Sequence, residues 1–266
     1  MESSFWQQRW QENKIGFHLD NVNPLLIKYA DKMQLGPGQQ VFVPLCGKTQ
    51  DLIWLAEQGY RVFGIELSQV AVDAFFAENN LSPYEVEKDG LTFYQAGLIT
   101  LVCGDFFQLN ATQMVNIAAV YDRAAFIALP ENMRPAYSEH LNLLCPGQPR
   151  LLVTLDYEQS EMAGPPFAVL EDELGQDYTV GFSVNCIERN DVLAELWLFG
   201  AKGQRRLQKW DNILNHKKGM IRIKNPLIYS LKIGLGVFFT VMFSSNVFGF
   251  FFVVFFPIFY VFYVWS

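Results

Sequence analysis

The chain has 266 residues, of which 51% are hydrophobic and 18% are charged, and its formal net charge is −7. This is the composition of an ordered protein, so intrinsic disorder is excluded, and the length suits one large domain or two small ones. The acidic balance argues against a general nucleic-acid binder, because contacts to phosphates need Lys and Arg clustered on one face. No such cluster occurs before residue 216.

The four cysteines stand far apart in the sequence, and three of them lie inside apolar runs, which predicts reduced thiols and no disulfide framework. They are Cys46, Cys103, Cys145 and Cys186. The chain has three histidines and no Cys-x-x-Cys pair, so we expect no metal site. The N-terminal residues carry no positively charged start followed by an apolar run, as a signal segment would. We therefore expect a cytoplasmic protein.

Short runs of β-branched residues alternate with helix-like stretches between residues 40 and 156. The predicted strands are 41–45, 61–66, 99–103, 117–121 and 151–155, and Asp51–Ala56 and the stretch after the N-cap candidate Ser68 are predicted helices. Strands separated by helices imply a parallel sheet that is covered on both faces. The predicted fold class is therefore α/β, with a doubly wound and mostly parallel sheet.

Four of the predicted strands end in residues suited to binding a ligand. These ends are Leu45-Cys46-Gly47, Glu66, Gly104-Asp105 and Asp122-Arg123. In doubly wound sheets, ligands bind beyond the carboxyl ends of the strands, so we expect the four ends to meet at one crevice. A single Asp or Gly at a strand end is more often ordinary turn chemistry, and the argument depends on the four occurring together.

The loop after the first strand limits the choice of cofactor. Residues 44–49 hold one glycine where the dinucleotide-binding pattern needs three, which disfavours NAD and FAD. A phosphate-binding P-loop is excluded because residue 42, where that motif needs its upstream glycine, is Phe. Glu66 lies 21 residues after Leu45, close to the spacing at which an acidic residue binds ribose hydroxyls. S-adenosylmethionine fits this pattern, because it contains adenine, ribose and an amino acid but no phosphate.

Residues 1 to about 195 resemble the bacterial form of the thiopurine S-methyltransferase family. The matching stretches are FWQQRW (5–10), Gly16-Phe17-His18, VFVPLCGKTQDLIWLAEQGYRVFGIELS (41–68), GDFF (104–107), YDRAAFIALP (121–130) and GPPF (164–167). The resemblance implies a Rossmann-like class I fold and methyl transfer from S-adenosylmethionine to the sulfur of aromatic and heterocyclic thiols. It also implies a monomer acting on a small molecule, and bacterial members are associated with detoxifying methylation of selenium or tellurium compounds.

The resemblance also assigns a cofactor site. Its residues are Trp10, Leu45, Glu66, Gly104, Asp105, Phe106 and Arg123. By this resemblance, Trp10 packs over the cofactor, the backbone of Leu45 lies near the methionine part, and Glu66 binds the ribose. Gly104, Asp105 and Phe106 bracket the adenine.

Arg123 is the residue expected to act in catalysis. The resemblance puts it beside the reacting sulfur, where a cation would favour the anionic form of the acceptor thiol. Residues 164–167 are expected to form part of a loop over the substrate. Cys46 is interpreted as a packing residue, since methyl transfer to a thiol needs no catalytic cysteine.

The C-terminal part departs from the family. A second arginine of the family, near the substrate, aligns with Leu198, and Asp211-Asn212 is poor material for the family's last strand. One alternative is therefore a cofactor-binding protein in which catalysis is reduced or lost. Another is a methyltransferase of the same fold that acts on oxygen, nitrogen or selenium.

The last 51 residues have an unusual composition. Residues 216–266 contain five basic residues and no acidic one, and residues 233–266 contain no charge. We expect a methyltransferase domain over 1–214, a basic linker over 215–232 and an apolar tail over 233–266. As a helix the tail is long enough to cross a membrane, with the basic residues holding the domain on the cytoplasmic side. The equally weighted alternative is a read-through or frameshift product, and a structured extension is the least favoured.

Overall fold

The computed structural model describes residues 3–170, 173–174, 183–191, 228–233, 237–244, 247–253 and 258–265. The chain divides into two compact units, one of residues 1–190 with 258–266 and the other of residues 191–257. The expected division into 1–214, 215–232 and 233–266 stays a prediction. Leu198 and Asp211-Asn212 lie outside the described residues.

The helices of the described residues all lie in the first unit. They are α1 (Ser3–Gln11), α2 (Pro24–Tyr29), α3 (Asp51–Glu57), α4 (Gln69–Glu78), α5 (Ala125–Ala128) and α6 (Arg134–Leu144). Asn23 caps α2, because its side-chain Oδ1 accepts a hydrogen bond from Leu25 N at 2.9 Å. Ser68 stands at the N-cap position of α4 as predicted, although its side chain makes no capping bond.

The strands run in chain order through both units. They are β1 (Gln40–Val43), β2 (Arg61–Glu66), β3 (Tyr84–Lys88), β4 (Leu91–Ala96), β5 (Ile99–Cys103), β6 (Ile117–Arg123), β7 (Arg150–Asp156), β8 (Ser183–Asp191), β9 (Ile228–Ile233), β10 (Val237–Ser244), β11 (Val247–Val253) and β12 (Ile258–Trp265). The sheet of the first unit has the order β3-β4-β5-β2-β1-β6-β7-β12-β8. In the second unit, β11, β10 and β9 form an antiparallel sheet.

The five strands predicted from the sequence are the centre of the larger sheet. β5, β2, β1, β6 and β7 are neighbours in that order, and each pairs with the next in parallel. Val41 and Val43 belong to a buried cluster with residues of α3 and α4. Between them, Phe42 stacks on Phe106, which in turn packs against Tyr137 of α6. Because side chains alternate along a strand, both faces of β1 are covered, and the predicted doubly wound fold is confirmed.

The apolar tail contains strands where the sequence allowed a helix. β12 pairs antiparallel with β7, and Val261 lies opposite Val153. Val, Ile, Phe and Tyr dominate the tail, and these β-branched and aromatic residues favour strands over helices. Within the described ranges, no helix has both the length and the apolar character needed to cross a membrane.

Candidate active site

A cavity lies beyond the carboxyl ends of β1, β2 and β6, at the crevice that the strand ends predict. Its lining consists of Trp6, Trp10, Phe17, His18, Val43, Leu45, Cys46, Gly47, Lys48, Thr49, Asp51, Glu66, Leu67, Tyr121, Arg123, Ala124 and Ala128. Four of the predicted site residues are among them, namely Trp10, Leu45, Glu66 and Arg123. We group part of the lining by the ligand that each group of residues would meet. We call residues 43–47 with Glu66 and Trp10 the cofactor wall, and Trp6, Phe17, His18 and Arg123 the acceptor wall.

Glu66 is fixed in the cofactor wall by two backbone hydrogen bonds. Its carboxylate accepts one from Gly47 N at 2.9 Å and one from Ser68 N at 2.8 Å, and the residue is only 6% exposed. Burial raises the pKa of Glu66 to about 7, against the opposing effect of these hydrogen bonds. A carboxylate has about four acceptor positions, so two remain for further donors.

The loop after β1 has an unusual backbone. Leu45 has a φ of +46°, and Ala124, which follows β6 across the cavity, has a φ of +76°. Such conformations are strained for residues with a Cβ and concentrate at functional sites. Gly47 has a φ of +56°, and a Cβ there would lie 3.1 Å from Cζ2 of Trp10. The indole of Trp10 therefore lies directly against the loop, and a glycine is needed at this contact.

Aromatic rings and a cation form the acceptor wall. The ring of Phe17 packs edge-on against Trp6 at 5.6 Å and against Trp10 at 5.5 Å between centroids. Arg123 Nη2 donates a long hydrogen bond of 3.5 Å to the carbonyl oxygen of Phe17. The guanidinium at the end of β6 is thereby joined to the N-terminal segment.

His18 adds a titratable group to the acceptor wall. Its side chain is 10% exposed, and Nε2 lies 3.8 Å from Oδ1 of Asp20. Burial lowers the pKa of His18 below its usual value, and the positive charges of Lys48 and Arg123 act in the same direction. The carboxylates of Asp20 and Glu78 oppose the shift.

A hydrogen-bonded pair in the cavity lining, Asp51 and Tyr121, was not predicted from the sequence. Asp51 is 1% exposed, and its carboxylate accepts hydrogen bonds from Asn23 N at 2.7 Å and from the hydroxyl of Tyr121 at 3.0 Å. Burial and the charge of Asp51 raise the pKa of Tyr121 well above its usual value, so the phenol stays protonated. From the sequence, Asp51 was predicted only as the first residue of a helix. The available signal was the Tyr that directly precedes Asp122-Arg123 at a strand end.

Cys46 is buried at the cofactor wall, and its surroundings agree with a packing role. A Cβ placed on Gly64 of β2 would lie 2.9 Å from its Sγ, so the sulfur packs directly against that strand. Burial raises the pKa of the thiol well above its usual value, and the nearby Glu66 adds to the shift. The thiol is therefore neutral and a poor nucleophile.

Three of the predicted cofactor residues stand beside the cavity rather than in the lining described above. Gly104 N donates to the carbonyl oxygen of Glu66 at 3.0 Å, so the end of β5 adjoins the end of β2. The carboxylate of Asp105 accepts a hydrogen bond from Phe107 N at 3.0 Å, and Phe106 is 2% exposed. A Cβ on Gly104 would collide with Leu91, which explains the glycine. The adenine role of Gly104, Asp105 and Phe106 stays a prediction.

The segment 164–167 packs against α5, which contributes Ala128 to the cavity. Phe167 N donates to the carbonyl oxygen of Ile127 at 2.7 Å. The hydroxyl of Tyr157 donates to the carbonyl oxygen of Pro166, also at 2.7 Å. The segment is thus held next to the acceptor wall, and its role as a loop over the substrate stays a prediction.

The cavity suits a nucleoside cofactor with a positively charged sulfur. Glu66 provides a buried acceptor for sugar hydroxyls, and the face of an indole such as that of Trp10 attracts cations. The loop at Gly47 has no Cβ facing Trp10, so backbone and ring approach closely. These features suit the ribose hydroxyls and the positively charged sulfur of S-adenosylmethionine.

Comparisons with known proteins agree with this geometry. A family model described as thiopurine S-methyltransferase matches residues 1–217. A thiopurine S-methyltransferase from Pseudomonas fluorescens is 49% identical over 210 residues, which is 79% of this chain and 96% of that protein. One from Pseudomonas paraeruginosa is 50% identical over 204 residues, which is 76% of this chain and 94% of that protein.

Solved structures show the fold independently of sequence. A SAM-dependent methyltransferase from Anabaena variabilis superposes with a TM-score of 0.54 over 99% of this chain and 95% of that chain, at 12% identity. With the family match, this confirms the Rossmann-like class I architecture. The chain belongs to the thiopurine S-methyltransferase family and is an S-adenosylmethionine-dependent methyltransferase.

Proposed function

We propose that the protein transfers a methyl group to the sulfur atom of small aromatic or heterocyclic thiols such as thiopurines. The observation that carries the proposal is the composition of the acceptor wall. Trp6 and Phe17 offer aromatic surfaces to a flat ring, and Arg123 places a positive charge beside them. A flat, anionic sulfur acceptor complements this wall, and relatives with about half of their residues identical are named for such a substrate.

The cofactor wall would hold S-adenosylmethionine, which supplies a methyl group already activated by its sulfonium. The carboxylate of Glu66 would accept hydrogen bonds from the ribose hydroxyls, and the backbone at Leu45 would face the methionine part. Trp10 would cover the sulfonium side, where its ring attracts the positive charge. Gly104, Asp105 and Phe106 would bracket the adenine from the end of β5.

The acceptor wall would do two things for the reaction. Arg123 would lower the pKa of the bound thiol, because a nearby cation favours the thiolate. Trp6 and Phe17 would hold the ring so that its sulfur points at the methyl group. Alignment of two reactants can contribute ~7–11 kcal/mol to lowering a barrier, so orientation is the larger part of the work.

The test is an assay of the full chain with S-adenosylmethionine and 6-mercaptopurine, read by the mass of the product. We expect the S-methyl product, and we expect S-adenosylhomocysteine to bind in calorimetry on the same sample. Binding without any product would contradict the proposal. Oxygen, nitrogen and selenium acceptors in the same assay establish whether another atom is methylated faster, and tellurite or selenite would test a detoxifying role.

A second candidate function rests on Leu198, which by the family resemblance would stand where the family has an arginine. In that case the protein binds the cofactor but has lost catalysis. Leu198→Arg is then expected to restore product formation, whereas in the leading proposal the parent protein is already active.

Location and assembly form part of the same proposal. Cys46, Cys103 and Cys145 are thiols rather than halves of a disulfide, which suits the reducing cytoplasm. We infer a cytoplasmic monomer. Fractionation of cells and size-exclusion chromatography of the full chain would test both points.

A further inference from the structure

His18 occupies a place in the acceptor wall that the proposed function does not use. Its side chain lines the cavity and is 10% exposed. It directly follows Phe17, whose carbonyl oxygen accepts the hydrogen bond from Arg123. The imidazole is therefore held next to the cation that would face the acceptor sulfur.

We propose that His18 is the proton acceptor for acceptor thiols that enter the cavity protonated. The inference rests on the proposed thiol methylation. In this step the S–H bond breaks, the proton bonds to a ring nitrogen of His18, and the bonding electron pair stays on the sulfur. The imidazolium then releases the proton to water. Asp20, at 3.8 Å from Nε2 and 97% exposed, stands on the solvent side of the ring.

The surroundings of His18 keep it ready to accept a proton. Its pKa lies below the usual value, so the ring is neutral at neutral pH and one ring nitrogen has a free electron pair. Lys48 and Arg123 disfavour the imidazolium, whereas Asp20 and Glu78 favour it. Lys48 and Glu78 form an ion pair of 2.5 Å with each other, so their effects partly cancel.

Arg123 would also favour the proton transfer, by acting on the thiol rather than on the histidine. A thiol that resembles Cys has a pKa of ~8.5, so proton transfer to a ring with a lowered pKa is unfavourable by itself. A guanidinium beside the sulfur stabilises the thiolate, which lowers the pKa of the thiol and brings it closer to that of the imidazole. The histidine and the arginine would therefore act as a pair.

The other titratable side chains of the cavity are less suited to accept this proton. The thiol of Cys46 and the phenol of Tyr121 are both kept protonated by burial. Both carboxylate oxygens of Asp51 accept hydrogen bonds, and the remaining acceptor positions of Glu66, on the cofactor wall, would bind the ribose hydroxyls of the cofactor. Among the cavity-lining residues that the structure describes, His18 is thus the best placed base.

The test measures how the effect of His18→Gln depends on the acidity of the acceptor. The acceptors are 4-nitrobenzenethiol, benzenethiol and phenylmethanethiol, whose acidities fall in this order. 4-Nitrobenzenethiol is ionised at neutral pH and needs no base, whereas phenylmethanethiol, an alkyl thiol, is mostly protonated. We expect kcat/KM to fall about 100-fold for phenylmethanethiol, within the range of general base catalysis, and less than about threefold for 4-nitrobenzenethiol.

His140→Gln is the matched control, because it makes the same chemical change outside the cavity lining. His140 lies on α6 with Nε2 3.2 Å from the carbonyl oxygen of Phe106. We expect this variant to keep the parent's ratios of kcat/KM among the three thiols. A loss in His18→Gln that is equal for all three thiols would assign His18 a structural role and overturn the inference, as would no loss at all. If the parent methylates none of the thiols while S-adenosylhomocysteine binds, the proposed function itself fails.

A second measurement does not depend on the folding of a variant. Histidine ring resonances of the full chain can be followed by NMR against pH, with His18 assigned through its proximity to the aromatic protons of Phe17. We expect His18 to titrate below 6.5 and its midpoint to match the acidic limb of the parent's kcat/KM profile for phenylmethanethiol. A ring that stays protonated at pH 7, or a midpoint that differs from that limb, would overturn the inference.

Discussion

The two walls of the cavity hold their titratable groups in different ways. Both groups are shifted towards the uncharged form by burial, with the pKa of Glu66 raised to about 7 and that of His18 lowered. Glu66 has a backbone N–H on each of its oxygens. His18 has its nearest carboxylate at 3.8 Å. Burial is therefore common to both walls. The difference between them is that backbone hydrogen bonds fix Glu66 on the cofactor wall.

The difference matches the ligands that the walls would meet. A cofactor has one structure, so a carboxylate fixed by backbone groups of the loops after β1 and β2 can bind it. Acceptors vary in shape and acidity, and the side chains of Trp6, Phe17, His18 and Arg123 would meet them. Fixed groups on one wall and adjustable side chains on the other are what a transferase with a constant donor and variable acceptors needs.

The largest expected effect concerns the acceptor wall. Arg123→Ala removes the cation that would stabilise the thiolate and the hydrogen bond that joins β6 to Phe17. We expect kcat/KM to fall by about 10²–10³-fold, the scale for losing one group that stabilises developing charge. Arg123→Lys is the control, since it keeps the positive charge but loses the planar guanidinium. Its kcat/KM should lie between those of the parent and of Arg123→Ala. Steady-state kinetics in which Arg123→Ala matches the parent would contradict the assignment.

The next effect concerns the stability of the cofactor wall. The folded protein binds the proton of Glu66 more tightly than the unfolded chain does, since burial raises its pKa from 4.5 to about 7. Protonation of Glu66 therefore contributes about 3 kcal/mol to the free energy of unfolding. This contribution is fully present below pH 4.5 and is lost as the pH rises through 7.

Urea unfolding of the ligand-free protein at several pH values would measure that loss. Glu66→Gln should remove this component, so the difference between parent and variant isolates it from other titrating groups. A difference that does not change between pH 5 and pH 8 would show that the carboxylate is not desolvated as the structure indicates.

The smallest expected effect is on cofactor binding, and it tests whether Glu66 acts on the cofactor and not on the acceptor. Glu66→Ala should weaken the binding of S-adenosylhomocysteine by about 1–3 kcal/mol, the scale for losing a charged hydrogen-bonding partner. The KM for the acceptor should change little, because Glu66 belongs to the other wall. Glu85→Ala, at an exposed position of β3, is the matched control and should bind like the parent. Calorimetry that shows equal affinity in Glu66→Ala would remove Glu66 from the cofactor site.

Much of the fold was predictable because its signals are local. The strands that became β1, β2, β5, β6 and β7 are compact apolar runs, and the loops between them carry their own turn residues. Glu66 and Arg123 were found for the same reason, since each closes such a run. Parallel strands bring their carboxyl ends to one edge, so local patterns sufficed to place these two residues near one another.

Other parts of the site depend on contacts between distant residues. The hydrogen bond between Tyr121 and Asp51 joins residues that are 70 positions apart, so the place of Tyr121 at a strand end did not reveal its partner. The secondary structure of the tail also depends on distant contacts. Its apolar composition is compatible with a helix or a strand, and residues 258–265 form the strand β12 because they pair with β7.

Sequence alone determined the five central strands of the sheet, its ligand-binding edge and the carboxylate suited to a ribose, since each follows from residues close together in the chain. The tertiary structure decided which side chains share the acceptor wall, because Arg123 at the end of β6 contacts Phe17, which is 106 positions away in the chain. It also decided the pKa shifts of Glu66 and His18, which arise from burial by neighbours far away in the sequence.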